Sequence, residues 1–188
     1  ILGDNIFFGN GFSQLLAKAN HRSSGATIFG YHVSDPERYG IAGFAADGGI
    51  NSIIEKPSNP ASSFAVTGLY FVDDTAPERA RNVKPSARGE LEITCILKSY
   101  LEECELDFEK MGRGFAWLDT GTHDTLLDAG NFVRTLTERQ GLQTGSPDEV
   151  AYQLNWINET QLRARAQKFG KNKIGEYLLS AIRPKGNN

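Results

Sequence analysis

The sequence predicts an α/β fold: a mixed, Rossmann-like sheet with helices over residues 1–123, then a helical C-terminal subdomain over residues 124–188. Three observations predict it. Short apolar and β-branched runs bounded by glycine, proline and aspartate alternate with helix-period stretches as far as Leu118. Past His123 those runs stop and only helical spacing remains. With 188 residues, 39% hydrophobic and 23% charged, the chain can bury one substantial core and carry a small appendage.

Ile1–Asp4 reads as a short buried strand ending in an acid, and Asn5–Gly11 as a turn carrying Ile6, Phe7 and Phe8. Phe12, Leu15, Leu16 and Ala19 share one helical face, which predicts a helix over Phe12–Asn20. Gly25–Val33 is a strand closed by Ser34-Asp35-Pro36, and His32 is simply a residue of it, with no ligating partner nearby in the sequence. Tyr39–Phe44 and Ile50–Glu55 make a hairpin across Asp47-Gly48-Gly49, and Pro57 stops its second strand. Val66–Val72 is the next strand, in which Gly68 marks a close backbone approach. Thr75–Asn82 is a short helix with Pro77 in its first turn. Lys84–Thr94 is a loop leading into a helix that runs to about Glu103. Leu106–Glu109 and Phe115–Leu118 are the last strands. Asp124–Gln140, Pro147–Asn158 and Glu159–Leu179 follow as helices, and Arg183–Asn188 as a polar, frayed tail.

The net charge of -3 leaves no basic footprint, so no nucleic-acid partner is expected. No apolar run approaches the roughly 20 residues of a membrane span, and no signal peptide is visible. A cytoplasmic protein without a membrane partner is expected. Cys95 and Cys104 lack metal-ligand spacing and are expected to stay reduced. The only methionine is Met111 and the first residues already read as a strand. The chain is therefore expected to be part of a longer protein, its first strand otherwise a bare sheet edge.

Chemistry gathers around Gly112–His123, where an aromatic-apolar run delivers Asp119 and turns through Thr120-Gly121-Thr122. Asp4 is a second acid beside a predicted strand end. Two such carboxylates suit Mg²⁺, which takes one or two carboxylates beside substrate phosphates. Alternatively, Asp119 caps the helix that follows. Asn5, Glu55, Lys56 and Arg88 add polar groups at strand ends and loops. A planar guanidinium and a compact ammonium both suit phosphate oxygens, though solvated surface charge is the simpler reading of each. Tyr39, Tyr70 and Trp117 either stack on a sugar or pack in the core.

A set of blocks then occurs in one order: Ile1-Leu2-Gly3-Asp4-Asn5, Asp35–Gly40, Ile54-Glu55-Lys56-Pro57, Ala65–Tyr70, Pro85–Thr94 and Trp117–His123. In these the chain resembles the bacterial glucose-1-phosphate thymidylyltransferases, a family of sugar nucleotidyltransferases. The likeness continues through Glu138–Leu142 and Tyr177-Leu178-Leu179. The resemblance implies a nucleotidyltransferase core, truncated, with transfer from dTTP to glucose 1-phosphate giving dTDP-glucose and pyrophosphate. It implies Mg²⁺ on Asp4 and Asp119, which with Lys56 and Arg88 form the catalytic set. It implies sugar-phosphate contacts from Asn5, Tyr39, Gly40, Glu55, Lys56, Val66, Tyr70, Arg88 and Trp117. A regulatory region at Arg113, Gly114, Ser146 and Glu149, a homotetramer, and a place in dTDP-rhamnose and polysaccharide biosynthesis are implied as well.

The departures matter too. The family's Gly-x-Gly-Thr-Arg phosphate loop does not occur in these 188 residues. The family's base-reading segment and catalytic lysine precede its counterpart of Ile1, so the chain alone is expected to be inactive. Cys95 stands where a polar or acidic residue is expected, and Gln153 where the family commonly has an arginine. Two other readings stay open: a non-catalytic nucleotide-sugar-binding or assembly module, and a uridylyl- or adenylyl-transferring relative.

Overall fold

Asn5–Gly9, read from sequence as a turn, is a strand (β1), while Ile1–Asp4, read as the strand, is an exposed lead-in ending in a turn. The computed structural model describes residues 1–182, so the expected frayed tail Arg183–Asn188 lies outside the described residues. After β1 come α1 (Phe12–Asn20), β2 (Ala26–His32), β3 (Gly40–Phe44), β4 (Ile50–Glu55) and β5 (Phe64–Val72). Next are α2 (Ala76–Arg81), α3 (Ile93–Glu102), β6 (Leu106–Met111) and β7 (Phe115–Asp119). The strand forms at Asn5–Gly9 because its groups have partners there. Its backbone pairs antiparallel with β7, and Phe7 stacks on Phe12 with ring centroids 5.5 Å apart. Leu2 makes a single bond of that kind, its N–H reaching the Gly68 carbonyl at 2.7 Å. One bond is not a ladder.

The chain divides into two units, Ile1–Thr122 and His123–Asn188. In the first, five strands form a sheet in the order β4-β3-β5-β2-β6, and β1 and β7 form a separate ribbon. The sheet is mixed: β2 and β6 run parallel, while β2–β5, β3–β4 and β3–β5 are antiparallel. Alternation along β2 and β5 sends Ile28 and Val66 to one face and Phe29 and Leu69 to the other. α3 covers the first face with Leu97 and Tyr100, both fully buried. Ala19 of α1 closes on Phe29, Leu69 and Met111 at the second. Each buried side chain such as Leu97 or Phe29 contributes about 1.5–3 kcal/mol.

The second unit holds α4 (His123–Gln140), α5 (Pro147–Gln153), α6 (Glu159–Lys168) and α7 (Lys173–Ala181). Two expected helices are shorter than their apolar spacing suggests. The helix expected over Pro147–Asn158 stops at Gln153, and Asn155 then takes a left-handed φ of 59°. The helix expected over Glu159–Leu179 is two helices, broken at Gly170 with φ 63°. Each restart has its own cap. Asn158 accepts the Gln161 N–H at 3.0 Å while the Gln161 side chain takes the Asn158 N–H at 2.8 Å, and Asn172 accepts from Ile174 and Gly175. Leu162, Ala166 and Leu178 form the buried core of this unit. Among the described residues, no helix is long and apolar enough to cross a membrane.

Candidate functional site

Antiparallel pairing of β1 with β7 places Asn5 opposite Asp119, so the start of one strand meets the end of the other. Asp4 immediately precedes that pair. Thr120 donates both its N–H and its hydroxyl to the Asp4 carbonyl, each at 2.9 Å, which pins the two ends together. Partial burial, and after it the negative charge of Asp4, pushes the Asp119 carboxyl above the usual carboxylate range. Arg38, the Gly121 N–H and Lys56 pull the other way. Asp119 thus takes a backbone N–H inside the turn, ahead of α4, which begins at His123. Among the described residues there is no cluster of three or more His, Cys, Asp or Glu suited to a metal. Two mutually repelling carboxylates are nonetheless a donor set that fits Mg²⁺, which completes its shell with phosphate and water.

Asp119 lines a cavity of about 200 Å³, and the same wall carries Asn5, Tyr39, Gly40, Glu55, Lys56, Val66, Tyr70 and Trp117. The β3–β4 register sets Gly40 opposite Glu55. A Cβ at position 40 would meet Thr94 Cγ2 at 2.9 Å and Glu55 Oε2 at 3.1 Å, so the absent side chain keeps this wall open. Burial first, then the charge of Glu92, raises the Glu55 carboxyl; Lys56, a Thr94 hydroxyl bond and Arg88 lower it. Lys56 has a left-handed φ of 40° directly before Pro57. That conformation is strained by about 1–3 kcal/mol in a non-glycine residue. A bond from the Lys56 N–H to the Tyr39 carbonyl at 2.9 Å helps hold it, and adjacent acid and base then face one cavity.

Asn5 is committed to positioning. Its Oδ1 accepts the Trp117 indole N–H at 2.6 Å and the Gly68 N–H at 3.0 Å, and its Nδ2 donates to Asp4 Oδ1 at 3.0 Å. Trp117 lies 5.2 Å from Tyr39 and 5.9 Å from Tyr31 between ring centroids, completing an aromatic wall. Burial pushes the Tyr70 hydroxyl up to about 12. Gly68 makes this arrangement possible, since a Cβ there would stand 2.7 Å from Asn5 Oδ1 and 2.9 Å from Leu2 Cβ. Gly68→Ala is expected to destabilise the fold by about 1–3 kcal/mol in urea titration and to dislodge the Trp117 indole, seen as a shift in tryptophan fluorescence.

Arg88 and Asp4 are not part of the cavity wall. Arg88 reaches it through Glu55, with Nη1 3.8 Å from Oε1. Arg38, Ile93 and Thr94, none of them among the expected site residues, line it as well. The signal that could have found them is their place inside the Asp35–Gly40 and Pro85–Thr94 blocks that carry the resemblance. Of the expected regulatory residues, Arg113 and Gly114 line a separate cavity of about 550 Å³ with Tyr31, Phe64 and Phe115. Ser146 and Glu149 belong to the second unit. There Glu149 accepts the Tyr177 hydroxyl at 2.5 Å and the Gln153 amide at 2.8 Å, and burial lifts that hydroxyl to about 12.

Known proteins resemble the chain across this region. The sequence profile described as nucleotidyl transferase matches residues 1–135. The glucose-1-phosphate thymidylyltransferase of Xanthomonas campestris pv. campestris (strain B100) is 51% identical over 180 residues, covering 96% of this chain and 61% of the relative. A Bacillus anthracis structure assigned as a glucose-1-phosphate thymidylyltransferase, in complex with sucrose, shares 41% identity at TM-score 0.61, over 71% of this chain and 53% of that one. UDP-glucose pyrophosphorylase complexed with UDP-glucose shares the fold alone, at 18% identity and TM-score 0.62 over 72% of this chain and 55% of the other. The matched span contains the ribbon, both acids and the whole cavity wall. The chain belongs to the nucleotidyl transferase family.

Proposed function

We propose that the chain forms the sugar-phosphate side of a glucose-1-phosphate thymidylyltransferase. In a full-length enzyme of this kind, dTTP and glucose 1-phosphate give dTDP-glucose and pyrophosphate in a Mg²⁺-dependent reaction. The observation that supports this best is the shared wall of Glu55, Lys56, Tyr70, Trp117 and Asp119 around one cavity, with two acids converging beside it. The phosphate oxygen of glucose 1-phosphate attacks the α-phosphorus of dTTP in line; a new P–O bond forms there while the bond to the leaving pyrophosphate breaks. Protein groups in such a transfer position the reactants and offset their charge. Glu55 accepts sugar hydroxyls, Val66 and Gly40 set the fit, and Tyr39, Tyr70 and Trp117 face the ring. Lys56 and Arg88 neutralise the sugar phosphate. Asp4 and Asp119 would hold Mg²⁺, which when bound supplies Lewis acidity and charge neutralisation at the nucleotide phosphates.

The same reading assigns Arg113, Gly114, Ser146 and Glu149 to effector binding, with Gln153 supplying an amide where an arginine would grip phosphate. It also assigns a homotetrameric, cytoplasmic enzyme. Calorimetric titration of the 188-residue chain with glucose 1-phosphate tests the central part. Binding is expected, weakened about 10- to 100-fold by Glu55→Gln, the range for losing a hydrogen bond to a charged group. With dTTP and Mg²⁺ added, this chain alone is expected to release no pyrophosphate. Affinity indifferent to Glu55 overturns the assignment, whereas pyrophosphate release by this chain overturns only the expectation that it is inactive alone.

A further inference from the structure

Arg88 is surrounded by acids at the rim of the cavity. Its Nη2 donates to Glu90 Oε2 at 2.5 Å, and its Nη1 lies 3.8 Å from Glu55 and 3.9 Å from Glu92. Three carboxylates thus share one guanidinium, a net negative setting that opposes an arriving phosphate dianion. The three are held very differently. Glu55 belongs to the cavity wall. The Glu92 side chain is only 9% exposed and accepts the Ser86 hydroxyl at 2.6 Å. Glu90 is 61% exposed, and Arg88 is its side-chain partner across a single intervening residue. That residue is Gly89, with φ 77° and open space where a Cβ would stand. Glycine changes backbone region without a Cβ penalty, so it can act as the pivot between the pair.

A solvent-exposed ion pair is weak and easily exchanged. Phosphate presents paired oxygens to the same fork and carries more charge than a carboxylate. We propose that Glu90 stands in for the substrate's phosphate: it holds Arg88 parked at the rim and must release it before the guanidinium grips a sugar 1-phosphate. The proposal rests on the reading of Arg88 as a phosphate-gripping group. Glu90 then sets the affinity of the site for its anion, whereas Glu92, anchored by Ser86, stays in place and positions the arginine. A carboxylate that merely preorganised Arg88 would have the opposite effect on binding.

Calorimetric titration with glucose 1-phosphate, and in parallel with inorganic phosphate, separates these roles in the 188-residue chain. Wild type, Glu90→Gln, Arg88→Met, Lys56→Met and the Glu90→Gln/Arg88→Met double variant are compared, with thermal melts to confirm folding. Glu90→Gln is expected to tighten binding roughly 3- to 5-fold, the scale of an exposed ion pair. In the Arg88→Met background the same change is expected to do nothing. Unchanged or weaker binding by Glu90→Gln overturns the proposal, and so does tightening that persists without Arg88, which would be a field effect of lost charge. Binding that responds to Lys56→Met but not to Glu90→Gln sinks the parking alone. Absence of any sugar-phosphate binding by the folded wild type sinks the underlying site reading as well.

Discussion

Replacing Asp119 by asparagine in a full-length enzyme of the proposed activity is expected to lower kcat/KM for dTDP-glucose formation by about 10³-fold while leaving the fold intact. Removing a preorganised charge-stabilising group at a transfer site typically lowers rate by about 10²–10³, and the paired acid makes the upper end the better expectation. Asparagine keeps the shape and an oxygen for the Gly121 N–H that the carboxylate now accepts. What it removes is one of two negative charges that the antiparallel ribbon brings together. That charge is itself unfavourable where it stands, since partial burial and Asp4 both oppose it. The variant's melting temperature should therefore equal or slightly exceed that of wild type while activity collapses. Mg²⁺ titration of the residual rate should need a higher metal concentration for half-saturation, because one of the two carboxylates that would hold the ion is gone. A near-normal rate would remove Asp119 from the metal-holding pair.

The convergence of those acids was legible in sequence as a pair, but not the route by which it happens. The sequence predicts both at ends of buried strands of one sheet, the usual ligand position of an open α/β fold. Instead Asp4 precedes β1 and Asp119 ends β7, and the strands run in opposite directions. The exchange of strand and turn at residues 1–9 has the same origin. Ile1-Leu2 and Ile6-Phe7-Phe8 are equally apolar locally, and only β7, far along the chain, and Phe12 decide which run is paired. Local signals did suffice where the deciding contacts are local. The face made by Phe12, Leu15, Leu16 and Ala19 gave a helix with the expected bounds, and Asp47-Gly48-Gly49 turned the β3–β4 hairpin. In the second unit the breaks at Asn155 and Gly170 are left-handed residues within otherwise helical spacing, a conformation that periodicity does not report. Adjacent Glu55 and Lys56 could be read as a site pair; the strained φ that turns Lys56 toward the cavity could not.

Asp73→Ala is expected to destabilise the chain by about 2–4 kcal/mol, measured by urea titration, although Asp73 touches neither the cavity nor its acids. Its carboxylate accepts four bonds: the Gly25 N–H at 2.6 Å, the Thr75 N–H at 3.0 Å, the Thr75 hydroxyl at 2.6 Å and the Tyr100 hydroxyl at 2.7 Å. These tie the end of β5 to the entry of β2, the start of α2 and the last turn of α3. Hydrogen bonds to a charged group contribute about 1.5–3 kcal/mol each, and four on one partly exposed carboxylate share that gain rather than add it. Tyr100 is fully buried beneath the Arg79 guanidinium, 3.9 Å above its ring, so its hydroxyl loses its short partner where water is scarce. The Thr75 hydroxyl above all, then Tyr100 and the two backbone N–H groups, hold the Asp73 carboxyl well below the usual carboxylate range. A depressed folded-state value means that stability is fully present above the unfolded pKa, near 3.9, and is lost as pH falls from there through the folded value. Wild type should accordingly lose stability steeply below about pH 4, and the alanine variant should be flatter over the same range. Parallel stability curves for the two proteins through that window would show that the bonds to Asp73 are not what the acid removes. Because α3 also carries Thr94, whose hydroxyl bonds Glu55, loosening this clasp should weaken sugar-phosphate binding only as far as the fold itself is lost.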